Sequence, residues 1–222
     1  MLNNLHTFWA GIELVLLDMD GTLLDRHFDD YFWTSLVPET YAAKHNLDLD
    51  RARTELFARF KSREGTLEWA DLDFWSDELA LDIPALKMQI EHLIEVHPYV
   101  LDFIDYCREI DKRVCLVTNA HGKTLDIKMA KTALRNRFDK IICSQQIGVA
   151  KEEPIFWERL KDHLDYDPAR TMLADDTEAV LVSADQAGIA KLVYVARPSS
   201  KVVPQKSALF HSITYFKELI IS

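Results

Sequence analysis

The sequence ELVLLDMDGTLLD, residues 13–25, decides how the rest of the chain is interpreted. Its apolar run, Leu14–Leu17, is too short for a helix and predicts a fully buried strand of a parallel sheet. The run leads into Asp18 and Asp20, and buried aspartates are rarely left without a partner. Because open α/β sheets bind ligands at the carboxyl ends of their strands, the two aspartates predict a ligand site.

Strands and helices alternate regularly from residue 98 onward. Apolar runs predict strands over residues 113–118, 140–143, 171–174 and 191–195. Amphipathic stretches predict helices over residues 99–110, 123–134, 153–163, 177–186 and 207–221. This alternation predicts right-handed crossovers and an α/β fold with a doubly wound parallel sheet.

The segment between the first strand and this alternating region has a different character. It contains no strand pattern, and its periodicity predicts four or five helices, including ones over residues 47–67, 72–81 and 85–96. We therefore expect an α/β catalytic core made of residues 1–27 and 98–222, with residues 28–97 inserted as a helical cap domain. Hinges are expected at the two connections, residues 25–28 and 97–98.

Size and composition narrow the possible functions. The 222 residues suit one large domain or a core with an insertion, and the formal net charge of −10 argues against a nucleic-acid partner. An acidic protein that binds phosphate needs a local cation or a metal ion. Three scattered cysteines form neither a disulfide framework nor a zinc motif. Without a signal-peptide pattern or a membrane-spanning run, the expected location is the cytoplasm, and the sequence does not indicate an oligomeric state.

Four groups of polar residues fall at or just beyond the carboxyl ends of predicted strands. They are Asp18 with Asp20, Thr118 with Asn119, Lys151, and Asp175 with Asp176. Each has an ordinary structural explanation: aspartates form turns and cap helices, and a lone lysine is usually solvated. Independent turn residues, however, would not gather at one edge of a sheet.

Together these residues suit phosphoryl transfer through a covalent aspartyl phosphate. Asp18 would attack phosphorus, and Asp20 would protonate the leaving alkoxide and then deprotonate water. Mg²⁺ held by Asp18, the backbone carbonyl of Asp20 and Asp175 would neutralise charge, with Asp176 either a ligand or a neighbour of the ion. Thr118 and Asn119 can donate hydrogen bonds to phosphate oxygens, and Lys151 can hold the phosphate and balance the carboxylates. Lys151 therefore counts among the catalytic residues.

These four groups resemble the four motifs of the haloacid dehalogenase-like hydrolase superfamily, over residues 13–188. The resemblance implies a Rossmann-like core, and Asp20 is similar to the second aspartate of the phosphatase branch, which dehalogenases lack. Two departures occur: Glu152 follows the lysine where the family usually has proline, and Ala174 replaces the usual glycine before the fourth-motif aspartate. Neither removes a catalytic group.

Longer stretches, residues 18–46, 66–83, 118–121 and 174–181, resemble the bacterial GMP/IMP 5′-nucleotidase branch. This resemblance covers part of the cap and implies purine mononucleotides as substrates. The cap is rich in aromatic rings that could stack on a purine or fill the cap's own core: Phe28, Tyr31, Phe32, Trp33, Trp69, Phe74 and Trp75. Four residues beside the motifs could reach phosphate or ribose, or be solvated: Arg26, His27, His121 and Lys123.

Other functions remain open at this point. A phosphatase acting on sugar phosphates, phosphoglycolate or FMN would use the same core with a different cap. A phosphomutase would use the same two aspartates but transfer phosphate rather than release it. A non-catalytic binding protein is disfavoured because no carboxylate and no lysine of the four motifs is missing.

Overall fold

The computed structural model describes residues 2–221 and the side chains of residues 5–221. Six parallel strands form one sheet in the order β3-β2-β1-β4-β5-β6, which confirms the doubly wound α/β fold. The strands are β1 (Leu14–Leu17), β2 (Arg113–Thr118), β3 (Lys140–Cys143), β4 (Thr171–Asp175), β5 (Lys191–Val195) and β6 (His211–Ile213). Because β1 lies between β2 and β4, the ends of these three strands converge at one edge of the sheet.

Strand β1 is buried on both faces, as its continuous apolar sequence predicts. Val15 and Leu17 belong to one hydrophobic cluster, and Leu14 and Leu16 belong to a second. Alternate side chains of a strand point to opposite faces of the sheet, so each face of β1 is covered by a separate layer.

Helices cover both faces of the sheet and fill the inserted segment. Those outside the insertion are α1 (Leu2–Trp9), α8 (Val100–Glu109), α9 (Gly122–Thr132), α10 (Ser144–Ile147), α11 (Pro154–Leu160) and α12 (Glu178–Gln186). Short 3₁₀-helices occur at Arg135–Arg137 and Pro168–Arg170. No helix within residues 2–221 is long and apolar enough to cross a membrane.

The inserted residues 28–97, called the cap segment below, are helical as expected but more divided than the periodicity predicted. Its first helix begins one residue before the segment, and the helices are α2 (His27–Tyr31), a π-helix (Phe32–Leu36), α3 (Val37–His45), α4 (Leu49–Lys61), α5 (Leu67–Ala70), α6 (Leu72–Leu79), α7 (Ile83–Gln89) and a 3₁₀-helix (Glu91–Leu93). Aspartates mark where two of these helices begin: the side chains of Asp48 and Asp71 accept hydrogen bonds from the second and third backbone amides of α4 and α6.

The helix predicted over residues 207–221 is wrong. This region forms β6 and a 3₁₀-helix, Phe216–Leu219. Strand β6 pairs with β5, so that Val195 lies beside Ile213, and the following turn buries Phe216 and Leu219. A helix here would have left the outer edge of β5 without backbone partners, a cost that helical periodicity does not reveal.

The two connections of the cap segment run side by side. The Asp25 backbone amide donates to the Glu95 carbonyl at 2.9 Å, and the His97 amide donates to the Leu23 carbonyl at 2.9 Å. Leu24 and Val96 form an antiparallel bridge between them. The first residue of each predicted hinge, Asp25 and His97, therefore lies within one short hydrogen-bonded pair of segments, whereas residues 27–28 already belong to α2.

Candidate active site

The site is built around the ammonium group of Lys151, which is buried at the carboxyl ends of β1 and β4. Its Nζ lies 2.5 Å from Asp18 Oδ1 and 2.7 Å from Asp175 Oδ2, and all three side chains are buried. A buried charge is tolerated only when it is paired, so the lysine and the two carboxylates fix one another's positions.

Asn119 holds the backbone that carries Lys151. Its Oδ1 accepts a hydrogen bond from the Lys151 amide at 3.0 Å, and its Nδ2 donates to Glu152 Oε2 at 2.8 Å. The Asn119 side chain is thus already bonded to the lysine loop. Thr118 Oγ1 accepts from the Ala120 amide at 3.0 Å, which leaves its hydroxyl proton available to a ligand.

A cluster of carboxylates lies beside this lysine. Ligand oxygens of Asp18, Asp175 and Asp176 all lie within 4.8 Å of one another and could hold a metal ion. Asp175 Oδ1 also accepts from the Thr177 amide at 2.9 Å, and Asp176 Oδ2 pairs with Arg26 Nη1 at 2.9 Å. Oxygen donors of this kind suit a hard divalent cation.

The pKa values of these carboxyl groups are raised because they are crowded and removed from water. Burial raises the pKa of Asp18 to about 6 against the opposing charge of Lys151. Burial, followed by repulsion from Asp175 and Asp18, places the pKa of Asp176 well above its usual range. Loss of hydration is the main cause of these raised pKa values, and the neighbouring carboxylates add to it.

Asp20 differs from its neighbours because its side chain turns toward helix α9. Its Oδ1 lies 2.5 Å from the Nζ of Lys128, a lysine whose side chain is only 1% exposed. Desolvation raises the pKa of Asp20 to about 6 although Lys128 lowers it. A carboxyl group with such a pKa can hold a proton close to neutral pH.

Gly21 allows the chain to leave β1 next to the carboxylate cluster. Its φ is +86°, and a Cβ built there would lie 2.4 Å from Asp176 Oδ2. Only glycine combines that backbone conformation with the absence of a side chain. The glycine of the D-x-D-G sequence therefore allows the chain after β1 to lie close to Asp176, which follows β4.

A cavity of about 1070 Å³ lies between the sheet edge and the cap segment. Every sequence-predicted site residue lines it: Asp18, Asp20, Thr118, Asn119, Lys151, Asp175 and Asp176. Its far wall is formed by the cap segment and includes Trp33, Arg53, Phe57, Lys61 and Trp69. Pockets for drug-sized ligands usually have volumes of about 300–1,000 Å³, so this cavity is large enough for a small-molecule ligand.

The structure divides the seven candidate aromatic residues into two groups. Phe28, Phe32 and Trp75 are at most 1% exposed and form core, while Trp33 and Trp69 line the cavity. The remaining two, Tyr31 and Phe74, are partly buried and pack against the core. Phe57 also lines the cavity and is 70% exposed, and it was not predicted, because helical periodicity does not show whether an exposed ring faces a cavity or open solvent.

The four flanking candidates also separate. Arg26 and His121 line the cavity, whereas Lys123 pairs with Asp73 of the cap segment at the surface. The His27 ring lies 6.3 Å from that of Tyr31. Three further charged residues near Asp20, namely Asp29, Lys87 and Lys128, carried no sequence signal, because no short motif contains them.

Comparisons with known proteins agree with this geometry. A family model described as haloacid dehalogenase-like hydrolase matches residues 12–188. The chain is 32% identical over 219 residues to the GMP/IMP nucleotidase YrfG of Escherichia coli K12, covering 99% of each chain. It is 21% identical over 188 residues to a phosphorylated carbohydrates phosphatase of Thermotoga maritima, covering 82% of this chain and 84% of that relative. A HAD phosphatase structure from Thermococcus onnurineus has a similar fold, with TM-score 0.78, 21% identity and coverage of 94% and 96%.

Replacing Gly21 by alanine should destabilise the fold and abolish activity. Positive φ and the contact with Asp176 together should cost roughly 3 kcal/mol of unfolding free energy. Gly11→Ala is the matched control, because Gly11 has φ +80° but no atom within 4 Å of a built Cβ. That control should lose only about 1 kcal/mol and stay active. Equal losses in denaturant titrations of the two variants would contradict the role given to the Asp176 contact.

Removing one charge from the carboxylate cluster should stabilise the metal-free protein. The raised pKa of Asp176 means that ionisation is less favourable in the folded state, so this penalty is present at pH 8 and fades as the pH falls toward ordinary carboxyl values. Asp176→Asn should therefore raise the unfolding free energy by about 1 kcal/mol at pH 8 in EDTA, and by less at pH 5. Asp162→Asn, at an exposed site, should change neither value. A loss of stability at pH 8 would show that the ionised Asp176 carboxylate does not destabilise the folded protein.

Proposed function

The chain belongs to the haloacid dehalogenase-like hydrolase family and is a phosphoric monoester hydrolase, and we propose that it hydrolyses purine nucleoside 5′-monophosphates such as GMP and IMP. The observation that carries the proposal is Asp18, buried against Lys151 at the floor of the cavity and beside two further carboxylates. The full-length similarity to a GMP/IMP nucleotidase supports the choice of substrate.

The first chemical step is transfer of the phosphoryl group to Asp18. A carboxylate oxygen of Asp18 bonds to phosphorus while the bond from phosphorus to the ester oxygen breaks. Asp20 donates a proton to the departing oxygen, which leaves as the nucleoside hydroxyl. Asp20 suits this role because it lines the same cavity and its raised pKa lets it hold a proton.

The second step is hydrolysis of the aspartyl phosphate. Asp20, now ionised, takes a proton from water, and the water oxygen attacks phosphorus. The bond between phosphorus and Asp18 breaks, which restores the Asp18 carboxylate and releases inorganic phosphate. Lys151 and the hydroxyl of Thr118 would hold phosphate oxygens through both steps. Asn119 would act mainly through the loop that carries Lys151, since its side chain is bonded there.

The carboxylate donors fit Mg²⁺, which prefers a few carboxylates together with water and phosphate oxygens. Asp18, Asp175 and Asp176 would hold it with the backbone carbonyl of Asp20, and the ion would supply positive charge that stabilises the transferring phosphoryl group. The three carboxyl groups face two cationic side chains, Lys151 and Arg26, so the cluster can accept a further positive charge, which supports this assignment.

The cap segment would select the substrate. In this proposal residues 28–97 form a cap domain over a core made of residues 1–27 and 98–222, and the paired connections near Leu24 and Val96 act as the hinge. Two exposed aromatic rings on the cavity wall, Phe57 and Trp69, are suited to stacking on a purine. Trp69 is held in place because its carbonyl accepts a hydrogen bond from Trp75 Nε1 at 2.9 Å.

Phosphate release from a panel of esters tests the reaction and its substrate. With Mg²⁺ present, GMP and IMP should be hydrolysed faster than sugar phosphates, phosphoglycolate or FMN. EDTA should remove the activity, and added Mg²⁺ should restore it. Asp18→Asn should lower kcat by at least about 1000-fold, since it removes the nucleophile. An active Asp18→Asn variant would refute the mechanism, and sugar phosphates as the best substrates would refute the purine assignment alone.

Phe57 provides a test of base recognition. Phe57→Ala should raise KM for GMP about tenfold, in line with about 1–3 kcal/mol for stacking of one base. It should leave KM for ribose 5-phosphate, which lacks the base, unchanged. Met88→Ala is the matched control, because Met88 is an exposed apolar residue of the cap segment that does not line the cavity. Equal effects on both substrates would rule out contact between Phe57 and the base.

A further inference from the structure

Four charged side chains form a continuous series of ion pairs from Asp20 into the cap segment, in which the two lysines are buried and the two carboxylates are partly exposed. Lys128 Nζ, on α9, contacts Asp20 Oδ1 at 2.5 Å and Asp29 Oδ2 at 2.5 Å. The other oxygen of Asp29 accepts from Lys87 Nζ at 2.8 Å. Asp20 follows β1, Asp29 lies on α2 and Lys87 lies on α7. These ion pairs therefore connect the candidate active site with α9 of the core and with the cap segment.

The two lysines of this series of ion pairs, Lys128 and Lys87, have little contact with solvent. The side chains of Lys128 and Lys87 are 1% and 2% exposed. Both ammonium groups lie over the ring of Phe28, at 5.2 Å and 4.8 Å from its centroid. Ammonium groups in such a place depend on their carboxylate partners, and loss of one partner typically costs about 3–5 kcal/mol. These ion pairs therefore hold the four side chains in one arrangement.

Lys128 also decides where the Asp20 carboxylate lies. Among the described residues, Lys128 is the one side chain that bonds to that carboxylate. Asp29 then bonds to both lysines and so fixes the position of the Lys128 ammonium. Lys128 itself is absent from the cavity wall, whereas Asp20 lines it.

We infer that Lys128 is a positioning residue for the general acid and base, with Asp29 and Lys87 of the cap segment holding Lys128 in turn. This inference rests on the proposed function, in which Asp20 protonates the leaving oxygen. When the cap segment packs against α9, these contacts therefore position the Asp20 carboxyl group for proton transfer. Lys128 touches no reacting atom and acts only through Asp20.

The test compares a substrate that needs a proton donor with one that does not. The nucleoside of GMP leaves as a strongly basic alkoxide, whereas p-nitrophenyl phosphate releases a weakly basic phenolate. The readout is kcat/KM for GMP divided by kcat/KM for p-nitrophenyl phosphate, because kcat/KM reports the steps up to loss of the leaving group. The ratio is independent of the concentration of folded enzyme, so partial misfolding of a variant does not affect it.

Asp20→Asn removes the proton donor itself and is the reference for the other variants; it should lower this ratio by about 100-fold. Lys128→Met should lower the ratio at least about tenfold. Asp29→Asn, which leaves Lys128 in place but removes one of its partners, should lower the ratio by a smaller factor and provides a second variant if Lys128→Met does not fold. Lys131→Met is the matched control, because Lys131 also lies on α9 and pairs with Glu91 of the cap segment at 3.7 Å but is 39% exposed. Its ratio should equal that of the native chain.

The outcomes separate the inference from the proposed function. If Asp20→Asn lowers the ratio while Lys128→Met and Asp29→Asn leave it unchanged, Lys128 has only a structural role and the inference is overturned. If Asp20→Asn itself leaves the ratio unchanged, the general-acid role fails and the inference fails with it. A fall in the Lys131→Met ratio equal to that of Lys128→Met would also overturn it, since any loss of contact between α9 and the cap segment would then suffice.

Discussion

The ion-paired ammonium of Lys151 is the constraint on which the rest of the site depends. Asp18 and Asp175 come from two adjacent strands, and without a cation between them two buried carboxylates would repel one another. Burying these three charged groups is unfavourable, and the burial of apolar side chains on β1 and its neighbouring strands offsets that cost. Asn119 then fixes the lysine loop through the Lys151 amide, so three strand ends are linked by polar contacts.

Much of this arrangement follows from the sequence because it depends on local rules. A short apolar run followed by D-x-D-G can hardly be anything other than a buried strand with a tight turn, and the structure gives Gly21 a φ of +86°. In a parallel sheet every strand ends at the same edge, so residues 118 and 175, and residue 151 in the loop beyond β3, were expected at the edge that carries Asp18. The four motifs could therefore be located without knowledge of the strand order.

What the sequence did not reveal depends on contacts between distant elements. Strand β6 is only three residues long and gains its stability from pairing with β5, so residues 207–221 were misassigned as a helix. Lys128 occupies an ordinary helical position, and only the packing of α9 against α2 and α7 places it beside Asp20 and Asp29. Phe57 lies on an amphipathic helix like any exposed apolar residue, and the cavity alone distinguishes it.

The ion pairs between α9 and the cap segment differ in how strongly they restrict the orientation of the cap segment. Lys123 with Asp73 and Lys131 with Glu91 are exposed pairs, which water and salt screen and which contribute about 1 kcal/mol or less. In the pair of Lys128 with Asp29 the ammonium is buried and the carboxylate is 19% exposed, so displacing the cap segment would take one of two carboxylate partners from a buried charge. The exposed pairs tolerate many relative orientations, whereas the inner pair tolerates very few. Because Lys128 of that inner pair also contacts Asp20, the orientation of the cap segment and the position of the Asp20 carboxylate depend on the same ammonium group.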